Sequence, residues 1–507
     1  MIFDASTLPL GSVIKADLCV VGAGAGGAMV AMTAAEAGMK VVVLEAGAFI
    51  TPGEMNQREE EMVPRLFWES GAQKTHDRGV WIHQGKGVGG STLHNLNLCK
   101  RIPNAILESW HTRRGLSALS PAVWHALYTE VEQLIGVEEI PASKRNRANL
   151  IVKKGCDALG WKSGPLKHNR AGCIGAGFCE IGCSFDAKNN ALKVMVPRAV
   201  KAGATVLAHC QATHVLHGAG ATKGVDAVIL DPVSRKVVGA LRVEAPKVCL
   251  SASATRTPAI LLRSRVPDPG GETGNGLRVH PGIAVAGDFD EPVDAWVGVP
   301  QSYECTEWLD FEEDRDGHRL WIIPVFGHPM GVSTMLPGHG ETHHNMMRRY
   351  AYSTGVAAML HDHTAGTVRP KGDLGIQIDY WPDERDRAEL SLGFELCAKL
   401  LLAAGARSVT SSTQPTHRLN RGGHAGAFRN IPIQRGETGL SAVHPMASVP
   451  MGDDPRVAAV DSTGRHHHLE GLWLADGSLF PSSIGVPPQL SIYSLALHVA
   501  RALVNSS

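Results

Sequence analysis

Apolar residues follow two patterns along this chain. Short continuous runs of four or five, bounded by glycine or a charge, read as buried strands. Longer stretches with apolar residues three and four apart read as helices. Asp17-Leu18-Cys19-Val20-Val21 is a run of the first kind, and Lys40-Val41-Val42-Val43-Leu44 is another. Between them, residues 28–37 are rich in Ala and Met, lack Pro and stop at Gly38, so they predict a helix. Helices are also predicted at 120–136, 147–159, 386–405 and 490–504, with shorter ones at 197–201 and 259–264. Apolar or alternating runs at 205–207, 225–230, 236–244 and 247–250 predict a small antiparallel meander whose last strand returns to a sheet. Strands are expected at 320–326, 374–380 and 472–475. From about 291 to about 438 Trp, His, Met and Tyr become frequent, which suggests a second domain shaped around a ligand.

Composition narrows this picture. A chain of 507 residues needs two or more cores. With 44% apolar and 19% charged residues it is globular. Lys plus Arg equals Asp plus Glu at 49 each, so nothing points to nucleic acid or an anionic membrane as partner. No stretch is apolar enough to span a bilayer. The first 18 residues lack a basic region followed by an apolar core, so no secretory signal is expected. Ten cysteines are scattered, mostly in apolar runs, which suggests free thiols and a reducing, cytoplasmic compartment.

The first chemistry lies between the two opening strands. Gly22, Gly24 and Gly27 form G-x-G-x-x-G, and Glu45, followed by Ala46, ends the second strand 18 residues past Gly27. The glycines suit a tight turn, close backbone approach to a pyrophosphate and close helix–strand packing. The helix N-terminus favours phosphate, and the acid suits ribose hydroxyls. This unit predicts a bound adenine dinucleotide without choosing NAD or FAD. Gly85, Gly87, Gly89 and Gly90 within six residues predict backbone passing close to a ligand.

Further stretches resemble the glucose–methanol–choline (GMC) flavin oxidoreductases. Gly87-Val88-Gly89-Gly90-Ser91 with Asn95 and Pro103 resembles the first family signature, and Val248 to Ala254 with Pro258 resembles the second. His444-Pro445-Met446-Ala447-Ser448-Val449-Pro450-Met451-Gly452 resembles the His-x-x-Gly-Thr-x-x-Met-Gly segment, with Ala447-Ser448 in place of Gly-Thr. Asp476-Gly477-Ser478 resembles the family's late strand end, and Gly276-Leu277-Arg278-Val279-His280-Pro281 its Asn-Leu-x-x-His-Pro turn. The resemblance implies an α/β fold: a discontinuous Rossmann-like FAD domain, 1–290 and 439–507, with a helical excursion at about 104–165. Residues 291–438 are then an inserted substrate domain on a largely antiparallel sheet. It implies FAD, contacted by Gly22, Gly24, Gly27, Glu45, Ala46, Gly87, Gly90, Ser91, His94, Asn95, Ala252, Asp476, Gly477 and Pro488.

The implied reaction oxidises an alcohol CH–OH group to a carbonyl. Hydride passes to flavin N5, and O2 or another acceptor takes the electrons onward. His444 matches the family's histidine and is expected to be the general base, since an imidazole titrates near neutrality. The family normally has His or Asn just before a Pro after Asp-Gly-Ser, but here Pro487 stands there, and Gln489 is the candidate substitute. That departure also keeps open a non-oxidative reaction, a lyase or isomerase that retains FAD. His94 matches, by spacing from Gly89-Gly90, the position of covalent flavin attachment in some branches, so covalent and non-covalent FAD both stand. Cys173, Cys179 and Cys183 resemble a ferredoxin spacing with Ala176 replacing one cysteine, and a structural loop without metal is the expectation. Similar Cys/Gly segments in long-chain alcohol oxidases of the family point to a hydrophobic alcohol. His343-His344, His361, His363 and His466 to His468 lack a supporting carboxylate pattern and are expected in solvated loops, with one of His361 or His363, or a Trp between 296 and 321, open as a lining of the substrate pocket.

Overall fold

The computed structural model describes residues 1–9, 11–311, 317–325, 327–336 and 338–506. The two opening runs form strands Leu18–Val21 and Val41–Leu44, buried at every position. Strands covered on both faces read as unbroken apolar runs because neither face meets water. They lie centrally in a six-stranded sheet, all parallel, ordered Ile2–Asp4, Thr205–Ala208, Val41–Leu44, Leu18–Val21, Lys247–Leu250, Leu472–Leu474. Helix Ala25–Glu36 starts three residues earlier than expected, inside the glycine motif. It packs between this sheet and the closing helix Gln489–Asn505. Both helices belong to one apolar core with Trp110, Trp124, Tyr128 and Tyr493.

The expected meander is a four-stranded mixed sheet. Cys210–Gly218, Ala221–Leu230 and Val237–Glu244 are antiparallel, and Val13–Lys15 adds in parallel at the edge. Cys210–Gly218 was not expected, because its polar Gln211, His214 and His217 break up the apolar signal.

A nine-stranded sheet forms the second body. Its main path runs Arg418–Asn420, Ser408–Ser411, Gly282–Asp288, Ser353–Leu360, Leu320–Val325, Tyr303–Cys305, Ser163–Pro165, each pair antiparallel. Leu440–Ala442 and Val80–Ile82 join beside it. The run expected at 320–326 is strand to Val325, and Phe326 lies outside the described residues. Helices Arg147–Leu159 and Glu384–Ala403 share a second apolar core with this sheet. That core also takes Val80, Ile82, Ala148 and Val152, which precede residue 291 by far. No helix among the described residues is long and apolar enough to cross a membrane.

Candidate active site

The glycine motif builds a cradle at the head of helix Ala25–Glu36. Gly24 is its N-cap and supplies no side-chain cap. A Cβ on Gly24 would meet nothing nearer than Gly90 Cα at 3.7 Å, whereas one on Gly90 would stand 2.7 Å from Gly24 Cα. The two glycine backbones thus face each other, and the first-turn amides stay open for an anion. The other glycines serve packing: a Cβ on Gly27 would sit 1.8 Å from Gly22 O, and one on Gly22 2.4 Å from Ser251 O.

Glu45, expected at a ribose, is bonded to three backbone amides. Its Oε1 accepts from Gly47 N at 2.8 Å and Gly87 N at 2.9 Å, and its Oε2 accepts from Ala23 N at 2.9 Å. The carboxylate therefore ties the first glycine turn to the second glycine loop, leaving Oε2 the freer oxygen. Burial pushes its carboxyl up while the three amides pull it down. Asp476 is also committed to protein. It accepts from Ser253 N at 2.9 Å, Thr257 Oγ1 at 2.6 Å and Ser478 N at 2.8 Å. These bonds make Asp476 the junction of three loops, with Oδ2 taking two of them and Oδ1 the Ser478 amide. Ser91 Oγ accepts from Gly85 N, and Ala252 N donates to Thr257 Oγ1. Ala46 and Pro488 are partly buried, and Pro488 caps a helix whose first turn has no side-chain cap.

His94 lies behind the glycine loop. Its ring is 3.9 Å from the Phe67 ring, and its Nε2 has no partner and no access to solvent. A Cβ on Gly85 would stand 2.6 Å from that nitrogen. Burial, with Lys188 nearby, pushes His94 down to about 3. Gln489, the candidate for the place left by Pro487, is buried and engaged: its amide oxygen accepts from Asn95 Nδ2, and its nitrogen donates to Asn169 Oδ1 at 2.9 Å and lies 3.7 Å from Cys99 Sγ.

The cysteine segment forms a loop against the same wall. Arg170 Nη1 lies 3.6 Å from Cys173 Sγ and 3.8 Å from Cys179 Sγ, and Cys183 Sγ accepts from Ala187 N. Lys188 Nζ donates to the carbonyls of Leu93, Asn95 and Cys179, which fastens the loop to the His94 segment. Among the described residues no three His, Cys, Asp or Glu side chains are grouped to hold a metal ion.

His444 meets a partner given no role from sequence. Arg278 and Met446 pair backbone to backbone as an antiparallel bridge. Two residues along in opposite directions, His280 and His444 fall opposite each other. Their Nδ1 atoms are 3.1 Å apart, and His280 Nε2 accepts from Gly485 N at 3.0 Å. His280 is 2% exposed while His444 is partly exposed. Burial and Arg319 push His280 down to about 3, and burial with His280 pushes His444 well down. Burial thus favours the neutral form of both rings. Behind them Asp362, 1% exposed, accepts from Val279 N at 3.0 Å, Tyr380 Oη at 2.9 Å and Ser483 Oγ at 2.9 Å.

His361 and His466, expected in solvent, are 1% and 2% exposed. His361 Nε2 pairs with Ser483 O, a tertiary partner that no local pattern announces. Ala447 has a φ of +63°, the left-handed region, where the resembling segment has Gly. Such backbone costs a non-glycine residue about 1–2 kcal/mol. Ala447→Gly is therefore expected to stabilise the protein by about 0.5–1 kcal/mol after the extra unfolded-state freedom of glycine is subtracted. The measure is the denaturation midpoint of the holoenzyme. An unchanged or lower midpoint contradicts the strain.

Residues 63–282 match the N-terminal part of the GMC oxidoreductase family and 362–496 its C-terminal part. An uncharacterised GMC-type oxidoreductase of Mycobacterium tuberculosis is 34% identical over 97% of this chain and 76% of its own length. The chain belongs to the GMC oxidoreductase family. It is thus a flavin oxidoreductase with FAD as cofactor, of a family whose members act on CH–OH groups. A long-chain-alcohol oxidase of Arabidopsis thaliana is 26% identical over 97% of this chain and 68% of its own. Among solved structures, pyridoxine 4-oxidase from Mesorbium loti superposes with a TM-score of 0.73 at 18% identity, over 96% of this chain and 98% of that one. The open first-turn amides, the Gly24–Gly90 cradle and the Glu45 anchor fit FAD.

Proposed function

We propose that this enzyme oxidises the CH–OH carbon of a hydrophobic alcohol to a carbonyl, with His444 taking the hydroxyl proton. The observation that carries the reading is the placement of His444. It is a neutral, partly exposed imidazole whose Nδ1 is held by His280 and whose Nε2 is bonded by no group among the described residues. When bound, FAD supplies the acceptor for the hydride. Gly22, Gly24, Gly90 and the Gly477 backbone would line its phosphates, and Glu45 its ribose. Orientation of the substrate oxygen falls to His444, since Pro487 has no polar atom in its side chain and Gln489 is engaged elsewhere. Alignment with long-chain-alcohol oxidases along almost the whole chain supports a hydrophobic substrate. O2 or another acceptor would then take the electrons.

A second reading, a lyase or isomerase that keeps FAD, is favoured by Pro487 alone. Anaerobic mixing with primary alcohols of increasing chain length separates the two. Bleaching of the flavin band, faster with longer chains, is expected. Product formation without bleaching would favour the second reading.

A further inference from the structure

We propose that His280, held by the Gly485 amide, keeps His444 in the tautomer that cannot take a proton at Nε2. His444 then begins as a hydrogen-bond donor to the substrate oxygen and becomes a base only when the Gly485–His280 bond is released. This rests on the alcohol-oxidation reading above and assigns a positioning role to two residues outside the matched catalytic segments.

A peptide N–H can only donate. Gly485 N lies 3.0 Å from His280 Nε2, so that nitrogen carries the lone pair. A neutral imidazole has one N–H, which must then be on His280 Nδ1. That atom is 3.1 Å from His444 Nδ1 and donates to it. His444 Nδ1 is therefore the bare nitrogen, and its own proton sits on Nε2. The opposite assignment would aim a His280 N–H at the Gly485 N–H. A doubly protonated His280 fails for the same reason.

The surroundings over-determine this bond. Asp362 accepts from Val279 N, the residue before His280, and from Ser483 Oγ, two residues before Gly485. Both ends of the bond therefore hang on one carboxylate. Gly485 has a φ of +63°, and a Cβ there would stand 2.7 Å from Phe311 Cε1 and 3.1 Å from His361 Nδ1. His280 has a φ of +50° although it precedes Pro281. Strain of this kind persists where packing imposes it, and it clusters at functional sites. The charged and titratable groups facing His280 do not offer it a proton. His361 is edge-on at 6.4 Å between rings, Arg319 donates through Nε to His361 O, and the Asp362 oxygens are taken.

Arming His444 leaves the pair with two protons, as before. The shared proton passes from His280 Nδ1 to His444 Nδ1. With the Gly485–His280 bond released, solvent takes the His444 Nε2 proton and supplies one to the uncovered His280 Nε2. The cost is the Gly485 N–H, which loses its buried acceptor. That makes the armed form about 5- to 150-fold less populated than the resting one.

The test is the 15N spectrum of histidine-labelled holoenzyme at neutral pH, with His444 assigned by difference from His444→Gln. The expected spectrum has His444 protonated at Nε2 and bare at Nδ1. His280→Asn tolerates a positive φ and can still donate to His444, so it should keep that pattern. His280→Leu cannot donate, and both His444 nitrogens should average. A bare Nε2 in the wild type overturns the proposal, as does an unchanged His444 pattern in His280→Leu. Neither result depends on turnover. A failure here leaves alcohol oxidation standing, and a failure of the alcohol panel leaves the tautomer standing.

Discussion

Replacing His444 with Ala is expected to slow reduction of the bound flavin by an alcohol about 10²–10⁴-fold, the usual weight of a positioned proton-transfer group. The expectation has a structural reason. His444 is the only part of the His280–His444–Gly485 assembly whose ring is partly open, since His280 and Gly485 are buried. No neighbour in the Pro487 segment stands ready to substitute for it. Rapid-mixing absorbance under anaerobic conditions reads the effect directly. FAD content should be unchanged, because His444 makes no contact with the Gly24–Gly90 cradle among the bonds described. A near-normal reduction rate would remove His444 from the chemistry.

The second large effect lies at a glycine outside the three-glycine motif. Gly26→Ala is expected to destabilise the protein by about 3 kcal/mol or more, the upper range for overpacking a well-fitted site. A Cβ on Gly26 would stand 1.7 Å from Ala475 O and 2.9 Å from Ala475 C, both backbone atoms. Ala475 O is already bonded by Ser251 Oγ at 3.0 Å, and the next residue is the triply bonded Asp476. The helix can make room only by moving off the sheet, and the cradle moves with it. Gly24→Ala is the contrast. Its Cβ meets only Gly90 Cα at 3.7 Å, so the fold should survive while the space beside the phosphates narrows. Thermal midpoint and FAD content, measured on both variants, separate the roles. Equal midpoints for the two would contradict the packing account.

Much of the fold could be read because its central elements carry local signals. Fully buried parallel strands announce themselves as apolar runs, and a Ser-Pro or Asn start with a glycine stop marks helices such as Pro121–Ile135 and Arg147–Leu159. What could not be read depends on distant partners. Val80–Ile82 and Ser163–Pro165 are three-residue strands that exist only through pairing with the second sheet. His280 belonged to a turn that was recognised, yet its contact with His444 spans 164 residues and is set by the Arg278–Met446 bridge. Glu45 and Asp476 are read from sequence as ligand contacts of the nucleotide fold. Their bonds to backbone amides are a property of three converging loops, and residue type alone suggested ligand contact instead. His361 shows the same limit: a lone histidine on a chain looks solvated until a carbonyl such as Ser483 O is placed beside it.

The central claim is that hydride leaves a carbinol carbon for the bound flavin. The most direct measurement is anaerobic mixing of the holoenzyme with a long-chain primary alcohol and, separately, with the same alcohol deuterated at the carbinol carbon. The account predicts bleaching of the flavin band with both, slower with the deuterated alcohol. Absence of bleaching with long-chain, aromatic and polycyclic alcohols alike, in enzyme that retains its FAD, would contradict it.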